Sequence, residues 1–220
     1  MIEQPISSCP SCPLGQSGQC TFLPRRVPAD TTLWAQGDVP RELLFIKQGV
    51  VALAASDADG QETVTAIRGP KSLLGLEALR NQPAPASVQT LTDAVVCSAT
   101  PELVKQRTGL LNSECTAAER AEQSRALLEL TLDELLRVER DVGLRTGSAL
   151  SRVARFLMVG GNLMESGRRA PFSKSRVAAL LGLRPETMSR CLGELKSAGV
   201  ITDDSRIHVN DAMALAELAG

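Results

Sequence analysis

The fold of the C-terminal third is decided by the stretch LGLRPETMSR, residues 181–190. The string SKSRVAALLGL predicts a short helix, and Pro185 is typical of the first turn of a second helix, PETMSRCLGELKSAG, which ends at Gly199. The string VITDDSRIHVN then predicts a hairpin that turns at residues 203–205. Two short helices, joined by a glycine turn and followed by a hairpin, predict a winged helix-turn-helix.

Two further helices are predicted upstream of this motif. The string ALSRVARFLMVGGNLM favours one helix, and residues 113–143, which lack Pro and contain no Gly before Gly143, favour one long helix. Within the long helix, residues at 4-3-4-3 spacing are typical of the seam of a two-stranded coiled coil, with one acidic residue among them. The seam residues are Leu128, Leu132, Leu135, Glu139 and Val142. The alternative is an ordinary helix that packs on its own domain.

The N-terminal half has the pattern of a β domain. From Thr31 to Thr100, short β-like runs alternate with turn signals such as Gly37-Asp38 and Asp59-Gly60. The runs are TTLW, LLFIKQGVVALAA, ETVTAI and SVQTLTDAVVCSA. This alternation predicts a small β-sandwich or barrel. Residues 1–21 are rich in Pro, Gly and Ser and lack a periodic apolar pattern, which predicts a loop.

Composition and charge narrow the class of protein. With 220 residues, 43% of them apolar, the chain is long enough for two modest domains. We expect a soluble, cytoplasmic protein without membrane contact, because no run approaches a membrane span and the N-terminus lacks the pattern of an export signal. His208 is the single histidine and Tyr is absent, which argues against histidine-based catalysis.

The charge is distributed unevenly along the chain. The formal net charge is −1, yet residues 145–220 hold 11 basic and 7 acidic residues, whereas residues 113–144 hold 4 and 8. A basic C-terminal segment that follows an acidic central segment predicts a C-terminal DNA-binding domain. A solvated surface of mixed sign is the alternative.

The helix-turn-helix stretch carries a family resemblance. Its Glu-x-x-Ser-Arg pattern, together with the ending DAMALAELAG, resembles the FNR-type branch of the CRP/FNR family of transcription regulators. The resemblance implies an α+β fold with an N-terminal double-stranded β-helix (a cupin-like β-roll), a long dimerisation helix and a C-terminal winged helix-turn-helix. We expect a cysteine-rich N-terminal loop at 1–21, a β-roll sensor domain at 22–112, the dimerisation helix at 113–146 and the DNA-binding domain at 147–220.

The resemblance implies that Glu186, Ser189 and Arg190 meet the base edges of DNA. Their spacing is consistent with this role, because it places the three side chains near one face in the N-terminal half of the helix. Arginine can bond bidentately to guanine, and a carboxylate can accept from the amino group of cytosine or adenine. Basic residues nearby are expected to contact phosphates, with a solvated helix face as the alternative for each. These are Lys174, Arg176, Arg184 and Lys196.

The DNA sequence and the partners are implied in the same way. FNR-type proteins have an apolar residue before the recognition Glu, where the cyclic-nucleotide branch has Arg, and this chain has Pro185. We therefore expect a homodimer on double-stranded DNA with TTGAT-like half-sites in inverted repeat, and Pro185 leaves the outer base of the half-site open. Contact with RNA polymerase through loops of the β-roll is implied by the resemblance.

The β domain is not expected to bind a cyclic nucleotide. The nucleotide-binding branch clamps the cyclic phosphate with a Gly-Glu-Leu turn followed by Arg-Ser or Arg-Thr. This chain has GLEAL at 75–79 and then Pro85-Ala86-Ser87. Because no Arg precedes Ser87, the charge-assisted bidentate pair with the phosphate is missing.

The six cysteines are expected to be free or metal-bound, because a reducing cytosol disfavours disulfides. The FNR branch implies an oxygen-labile [4Fe–4S] cluster held by thiolates. The ligands expected here are Cys9, Cys12, Cys20 and Cys97. Zinc on the same ligands is the chemical alternative, and Cys97 is otherwise a small buried apolar residue. Cys115 is an alternative fourth ligand, whereas Cys191 is expected to serve packing.

These patterns together predict a sequence-specific DNA-binding transcription regulator rather than an enzyme. Its dimerisation or DNA affinity is expected to respond to the iron–sulfur cluster, and so to oxygen, nitric oxide or redox state. One alternative is a zinc or thiol-switch sensor on the same scaffold. The other is a redox enzyme that uses Cys9-Pro10-Ser11-Cys12 as a dithiol, although such a motif belongs at the start of a helix after a strand and here precedes all predicted regular structure.

Overall fold

The computed structural model describes residues 22–60, 62–111, 116–164, 174–203 and 207–219. The predicted α+β fold is confirmed: two β-sheets, a long helix and a C-terminal helix-turn-helix follow one another along the chain. The chain forms two compact units. The first comprises Met1–Leu53 and Arg68–Arg137, and the second comprises Ala54–Ile67 and Val138–Gly220.

Eight strands build the N-terminal sheets. They are β1 (Leu23–Val27), β2 (Thr32–Trp34), β3 (Leu43–Gln48), β4 (Val51–Ser56), β5 (Glu62–Arg68), β6 (Leu73–Leu74), β7 (Ser87–Thr90) and β8 (Ala94–Ala99). The strand order is β1-β8-β3-β6 in one sheet and β2-β7-β4-β5 in the other. A short 3-10 helix, Leu76–Arg80, follows β6. The predicted β-sandwich or barrel is thus a pair of four-stranded sheets.

Strand β3 is buried on both faces, which explains why LLFI is an unbroken apolar run. Leu43 and Phe45 belong to one core cluster, which includes residues of the helices that follow the sheets. Leu44 and Ile46 belong to the other cluster, which includes residues of β4 and β7. Successive side chains of a strand point to opposite faces, so the two clusters lie on the two sides of β3.

The apolar run LLFIKQGVVALAA was expected as one segment and forms two strands. The break falls at Gly49, whose φ is +92°. A Cβ at this position would lie 2.6 Å from the main-chain oxygen of Asp93. Only glycine adopts this backbone conformation readily and fits this approach. The pattern also gave no indication of β1 or of helix α1 (Pro101–Arg107), which precedes the long helix.

The long helix α2 spans Ala117–Gly143 and lies within the predicted segment 113–143. It begins later than predicted because Thr116 and Glu119 form a capping box. The hydroxyl of Thr116 accepts from the amide of Glu119 at 3.2 Å, and the carboxylate of Glu119 accepts from the amide of Thr116 at 2.8 Å. This reciprocal pair satisfies amide donors at the helix start and sets the first turn.

Within the first unit, α2 is anchored to the sheets by packing and by an ion pair. Ala126 and Leu130 are buried in the core cluster that includes Phe45. One turn further along, Glu134 pairs with Arg68 at the end of β5, and their side chains are 12% and 4% exposed. The second carboxylate oxygen of Glu134 lies 3.7 Å from Nε of Arg137.

After α2, the described residues of the second unit form four helices and a hairpin. These elements are α3 (Ala149–Met164), α4 (Lys174–Leu180), α5 (Pro185–Ser197), β9 (Ile201–Asp203), β10 (Ile207–Val209) and α6 (Ala212–Ala219). Helix α3 coincides with the string ALSRVARFLMVGGNLM that predicted it. The predicted domain boundaries at 112, 113, 146 and 147 stay a prediction.

Three arginines counted in the basic C-terminal third bind main-chain carbonyls of their own unit. The Nε groups of Arg145, Arg152 and Arg155 donate to carbonyl oxygens at 3.0, 3.0 and 2.7 Å. Their acceptors lie in or beside helices, including the last turn of α6 for Arg155. Part of the positive charge that indicated nucleic acid therefore also stabilises the fold of this unit.

Candidate DNA-binding site

The turn between α4 and α5 is fixed by its backbone. Leu181 is fully buried, and Gly182 has a φ of +64°, which a residue with a Cβ adopts at a cost. The amide of Leu183 then donates to the carbonyl of Ala178 at 2.8 Å. This closes α4 and directs the chain into α5, as the glycine turn predicted.

Helix α5 starts as its sequence predicted. Arg184 is the N-cap residue in an extended conformation, and Pro185 follows in the first turn, where the absent amide hydrogen costs nothing. The buried side of α5 consists of Met188, Cys191, Leu192 and Leu195. These apolar side chains fix the rotation of the helix about its axis.

Glu186, Ser189 and Arg190 are all exposed and lie on the side of α5 opposite its buried residues. At about 100° per residue, the three positions fall within an arc of roughly 100°. The structure thus brings the three predicted base-reading residues together on one exposed face. Of the four phosphate candidates, Arg184, Lys174 and Lys196 are exposed at the ends of α4 and α5, and Arg176 lies on α4 with its side chain outside the described residues.

The hairpin after α5 has the position of a wing. Strands β9 and β10 pair antiparallel with Val209 opposite Ile201 and Ile207 opposite Asp203. Ile201 is buried, and the amide of Asn210 donates to the carbonyl of Val200 at 2.9 Å, which holds the base of the hairpin. The predicted turn lies at residues 203–205, of which 204 and 205 are outside the described residues.

Cys191 is a packing residue, as expected. It lies on the buried side of α5, and burial raises the pKa of its thiol, with the nearby Glu194 carboxylate raising it further. A thiol that stays protonated is a poor nucleophile and a poor metal ligand. The single histidine, His208, is exposed on β10.

Of the four expected cluster ligands, Cys97 is within the described residues. It lies on β8, is 4% exposed, and packs in the core cluster with Phe22 and Phe45. The other three, Cys9, Cys12 and Cys20, and the alternative ligand Cys115 lie outside the described residues. Among the residues that the structure does describe, no group of three His, Cys, Asp or Glu could hold a metal ion.

The segment that was expected to lack a cyclic-phosphate clamp comprises residues 75–79 and 85–87. Ala86, at the position of the missing arginine, is buried. The hydroxyl of the next residue, Ser87, accepts from the amide of Gln36 at 2.9 Å and is thus engaged with its own loop. Gly75 has a φ of +79°, and a Cβ there would lie 2.6 Å from the main-chain oxygen of Glu42. The backbone conformation and this close approach therefore explain why residue 75 is a glycine.

The predicted seam lies on the outer face of α2. Leu128, Leu132 and Leu135 are 49–58% exposed, and Glu139 is exposed beside them. At about 100° per residue these positions lie opposite the buried Ala126 and Leu130. The helix therefore has a second apolar face that the described residues of the first unit leave exposed. Val142 belongs to α2, but its side chain is outside the described residues.

Two structural features had no counterpart in the sequence patterns. The ion pair between Arg68 and Glu134 joins residues that are 66 positions apart, and nothing local indicates it. Gly193 lies in the interior of α5, seven residues after Glu186, so helical periodicity places it on the same face as the predicted base-reading residues. That periodicity is the signal that would have found it.

Family models match both parts of the chain. Residues 24–107 match the cyclic nucleotide-binding domain, and residues 151–218 match the Crp-like helix-turn-helix domain. Among the described residues, no helix has the length and apolarity needed to cross a membrane.

Curated relatives and solved structures agree with these matches. The chain is 26% identical to the anaerobic regulatory protein of Pasteurella multocida, over 86% of this chain and 68% of the relative. It is 25% identical to the transcriptional activator protein Anr of Pseudomonas aeruginosa, over 86% and 77%. The structure of FixK2 from Bradyrhizobium japonicum superposes with a TM-score of 0.75 at 21% identity, over 90% of this chain and 98% of that one. The fold, the exposed recognition helix and these relatives together show that the chain is a DNA-binding transcription regulator of the CRP/FNR family.

Proposed function

We propose that the chain reads an inverted repeat of TTGAT-like half-sites as a homodimer. The observation that carries this proposal is the exposed face of α5, where Glu186, Ser189 and Arg190 stand opposite a fully buried side. A helix of about 10–12 Å diameter fits the major groove, which is about 12 Å wide. Exposed basic residues at the ends of α4 and α5 are placed to bind phosphates and set the register.

The outer face of α2 supports the homodimer. Leu128, Leu132 and Leu135 form an uncovered apolar stripe with the 4-3 spacing of a coiled-coil seam. A second copy of the same helix offers the matching stripe, and the symmetric pairing places two recognition helices on two half-sites. Glu139 continues the stripe and would face its own copy across the seam.

The dimer gives a prediction for Glu139. Replacing Glu139 with Ala removes two facing like charges, so the dissociation constant of the metal-free dimer should fall roughly twofold or more. Sedimentation equilibrium of the two proteins measures this change. Asp133→Ala is the matched control, since Asp133 is exposed on α2 and lies about 130° from the middle of the stripe, away from the second copy. An unchanged equilibrium for Glu139→Ala would remove this residue from the seam.

We further propose that Cys9, Cys12, Cys20 and Cys97 hold a [4Fe–4S] cluster, which would supply the response to oxygen, nitric oxide or redox state. The support is the place of Cys97. It packs in the same cluster as Phe22, and Cys20 precedes Phe22 by two residues, a length of chain that spans at most about 7 Å. Pro24 is the register partner of Cys97 between β1 and β8, so the first described residues lie beside the strand that carries Cys97. Four thiolates are the donor set that such a cluster requires.

Metal analysis tests this sensor. The protein is purified anaerobically as wild type, Cys20→Ala and Cys97→Ala, and iron, sulfide and zinc are measured beside a visible absorption spectrum. We expect about four irons and four sulfides per wild-type chain, with both variants losing them. Cys191→Ala is the matched control and should keep the cluster, because its thiol is a buried packing group. Stoichiometric zinc would support a zinc regulator on the same scaffold, and no metal would leave a thiol switch.

Several finer features complete the proposal. The protein works in the cytoplasm and contacts RNA polymerase through loops of the β domain. It does not use a cyclic nucleotide, since Ala86 replaces the phosphate-binding arginine and the hydroxyl of Ser87 is engaged with Gln36. The relatives are regulators by name, which favours a regulator over a dithiol redox enzyme.

A further inference from the structure

Nothing among the described residues explains the glycine at position 193. It lies in the interior of α5, and a Cβ built on it would meet no atom of the described residues within 4 Å. Gly193 also lacks the positive φ that favours glycine at Gly182 and Gly199, which flank α5 with φ values of +64° and +73°. A glycine in a helix interior destabilises the helix relative to alanine, because it loses more backbone freedom on folding. Almost any other residue except proline would thus stabilise helix α5 more than glycine does.

The position of Gly193 on α5 points to the reason. At about 100° per residue, Gly193 lies about 20° from Glu186 and between the directions of Ser189 and Arg190. The buried residues Met188 and Leu195 lie on the opposite side and fix this orientation. Gly193 is therefore central on the face that points away from its own unit.

We infer that Gly193 is a positioning residue for DNA recognition. This inference rests on the proposed reading of DNA by α5. The helix almost fills the width of the major groove, so a side chain at the centre of its groove-facing surface limits how deeply it can lie. With no side chain at 193, the backbone of α5 lies close to the duplex, and Glu186, Ser189 and Arg190 reach the base edges.

The inference predicts opposite effects on folding and on DNA binding. Gly193→Ala and Gly193→Gln should raise the thermal midpoint of helix unfolding, because both residues favour a helix and both have free space. The same changes should weaken binding to the recognised duplex, by about tenfold or more for Gln, which corresponds to the loss of one good base contact, and by less for Ala. Binding to an unrelated duplex should stay within about twofold, since phosphate contacts do not need the deepest position.

The experiment uses the full chain, purified anaerobically. Wild-type protein first selects its site from a pool of random-sequence duplexes. Fluorescence anisotropy then measures the affinity of each variant for the selected duplex and for a scrambled one, and circular dichroism gives the thermal midpoint. Ala216→Gln is the control, because it adds the same side chain at an exposed position of α6.

The outcomes separate the inference from the function on which it rests. The role of Gly193 is supported if affinity for the selected duplex falls in both variants, and falls further for Gln than for Ala. Affinity for the scrambled duplex must stay unchanged, and both variants must be at least as stable as wild type. Unchanged affinity, or an equal loss on both duplexes, overturns it while leaving recognition by α5 intact. A wild-type protein that selects no sequence would overturn the proposed recognition itself and the inference with it.

Discussion

Replacing Arg68 with Met is expected to lower the free energy of unfolding of the N-terminal unit by about 3–5 kcal/mol. The side chains of Arg68 and Glu134 are 4% and 12% exposed, so the change leaves the Glu134 carboxylate largely buried without its partner. A buried charge that has lost its hydrogen-bonded partner costs far more than the pair itself contributes, and the Arg137 guanidinium, 3.7 Å from the second oxygen of Glu134, compensates this charge only in part. Trp34, the single tryptophan, lies on β2 of the same unit, and its fluorescence during urea unfolding measures the change.

The chain provides a matched control for this prediction. Arg25 and Glu42 also form an ion pair in the same unit, but their side chains are 43% and 33% exposed. Arg25→Met should therefore cost only about 0–1 kcal/mol. The double change of Arg68 to Met and Glu134 to Leu should recover much of the loss, because it removes both charges and keeps apolar volume. Equal effects of the two single arginine variants would contradict a special role of the buried pair.

The buried pair also has a consequence for regulation. Glu134 lies about 160° around α2 from Leu132 of the proposed seam, on the side that pairs with Arg68. The same helix turn thus carries an anchor to the β domain on one side and a dimer contact on the other. A loss of the anchor would loosen the element on which the two copies meet, so Arg68→Met is also expected to weaken dimerisation.

Replacing Arg190 with Ala is expected to weaken binding to the recognised DNA site by about tenfold to a hundredfold, or about 1–3 kcal/mol. Arg190 is exposed on the face of α5 that we propose enters the major groove, where its guanidinium could bond bidentately to a guanine. Because the contact reads a base, the loss should be confined to the specific site, and discrimination at one base pair of each half-site should relax. Anisotropy titrations against the selected duplex and its single-base variants measure both effects.

Lys174→Ala separates base reading from phosphate binding. Lys174 is exposed at the first residue of α4, and we expect it to contact a phosphate. Its loss should weaken binding to the specific duplex and to an unrelated duplex about equally. The slope of the logarithm of the binding constant against the logarithm of the salt concentration should become shallower by about one. If Arg190→Ala behaved in this uniform way, the assignment of Arg190 as a base-reading residue would fail.

The local elements of the C-terminal unit were predictable from sequence because their determinants are local. Helix α3 coincides with the string that indicated it, since an amphipathic period needs no distant partner. The start of α5 follows from Pro185, and the turn before it follows from Gly182. The exposed face of α5 follows from the same helical period, which places the apolar residues on the other side.

The tertiary structure decided what depends on residues far apart in the chain. The break at Gly49 follows from the approach of Asp93, and the burial of β3 on both faces follows from the two layers that cover it. The partner of Arg68 lies 66 residues away, and the carbonyls that bind Arg145 and Arg155 belong to other elements. Packing brings such groups together, and a sequence pattern read over a few turns contains no information about it. Local patterns were therefore sufficient for the family motif, its helices and the exposed face of α5. Which charges are buried, and which apolar stripe of α2 stays exposed in the first unit, depended on packing between distant segments.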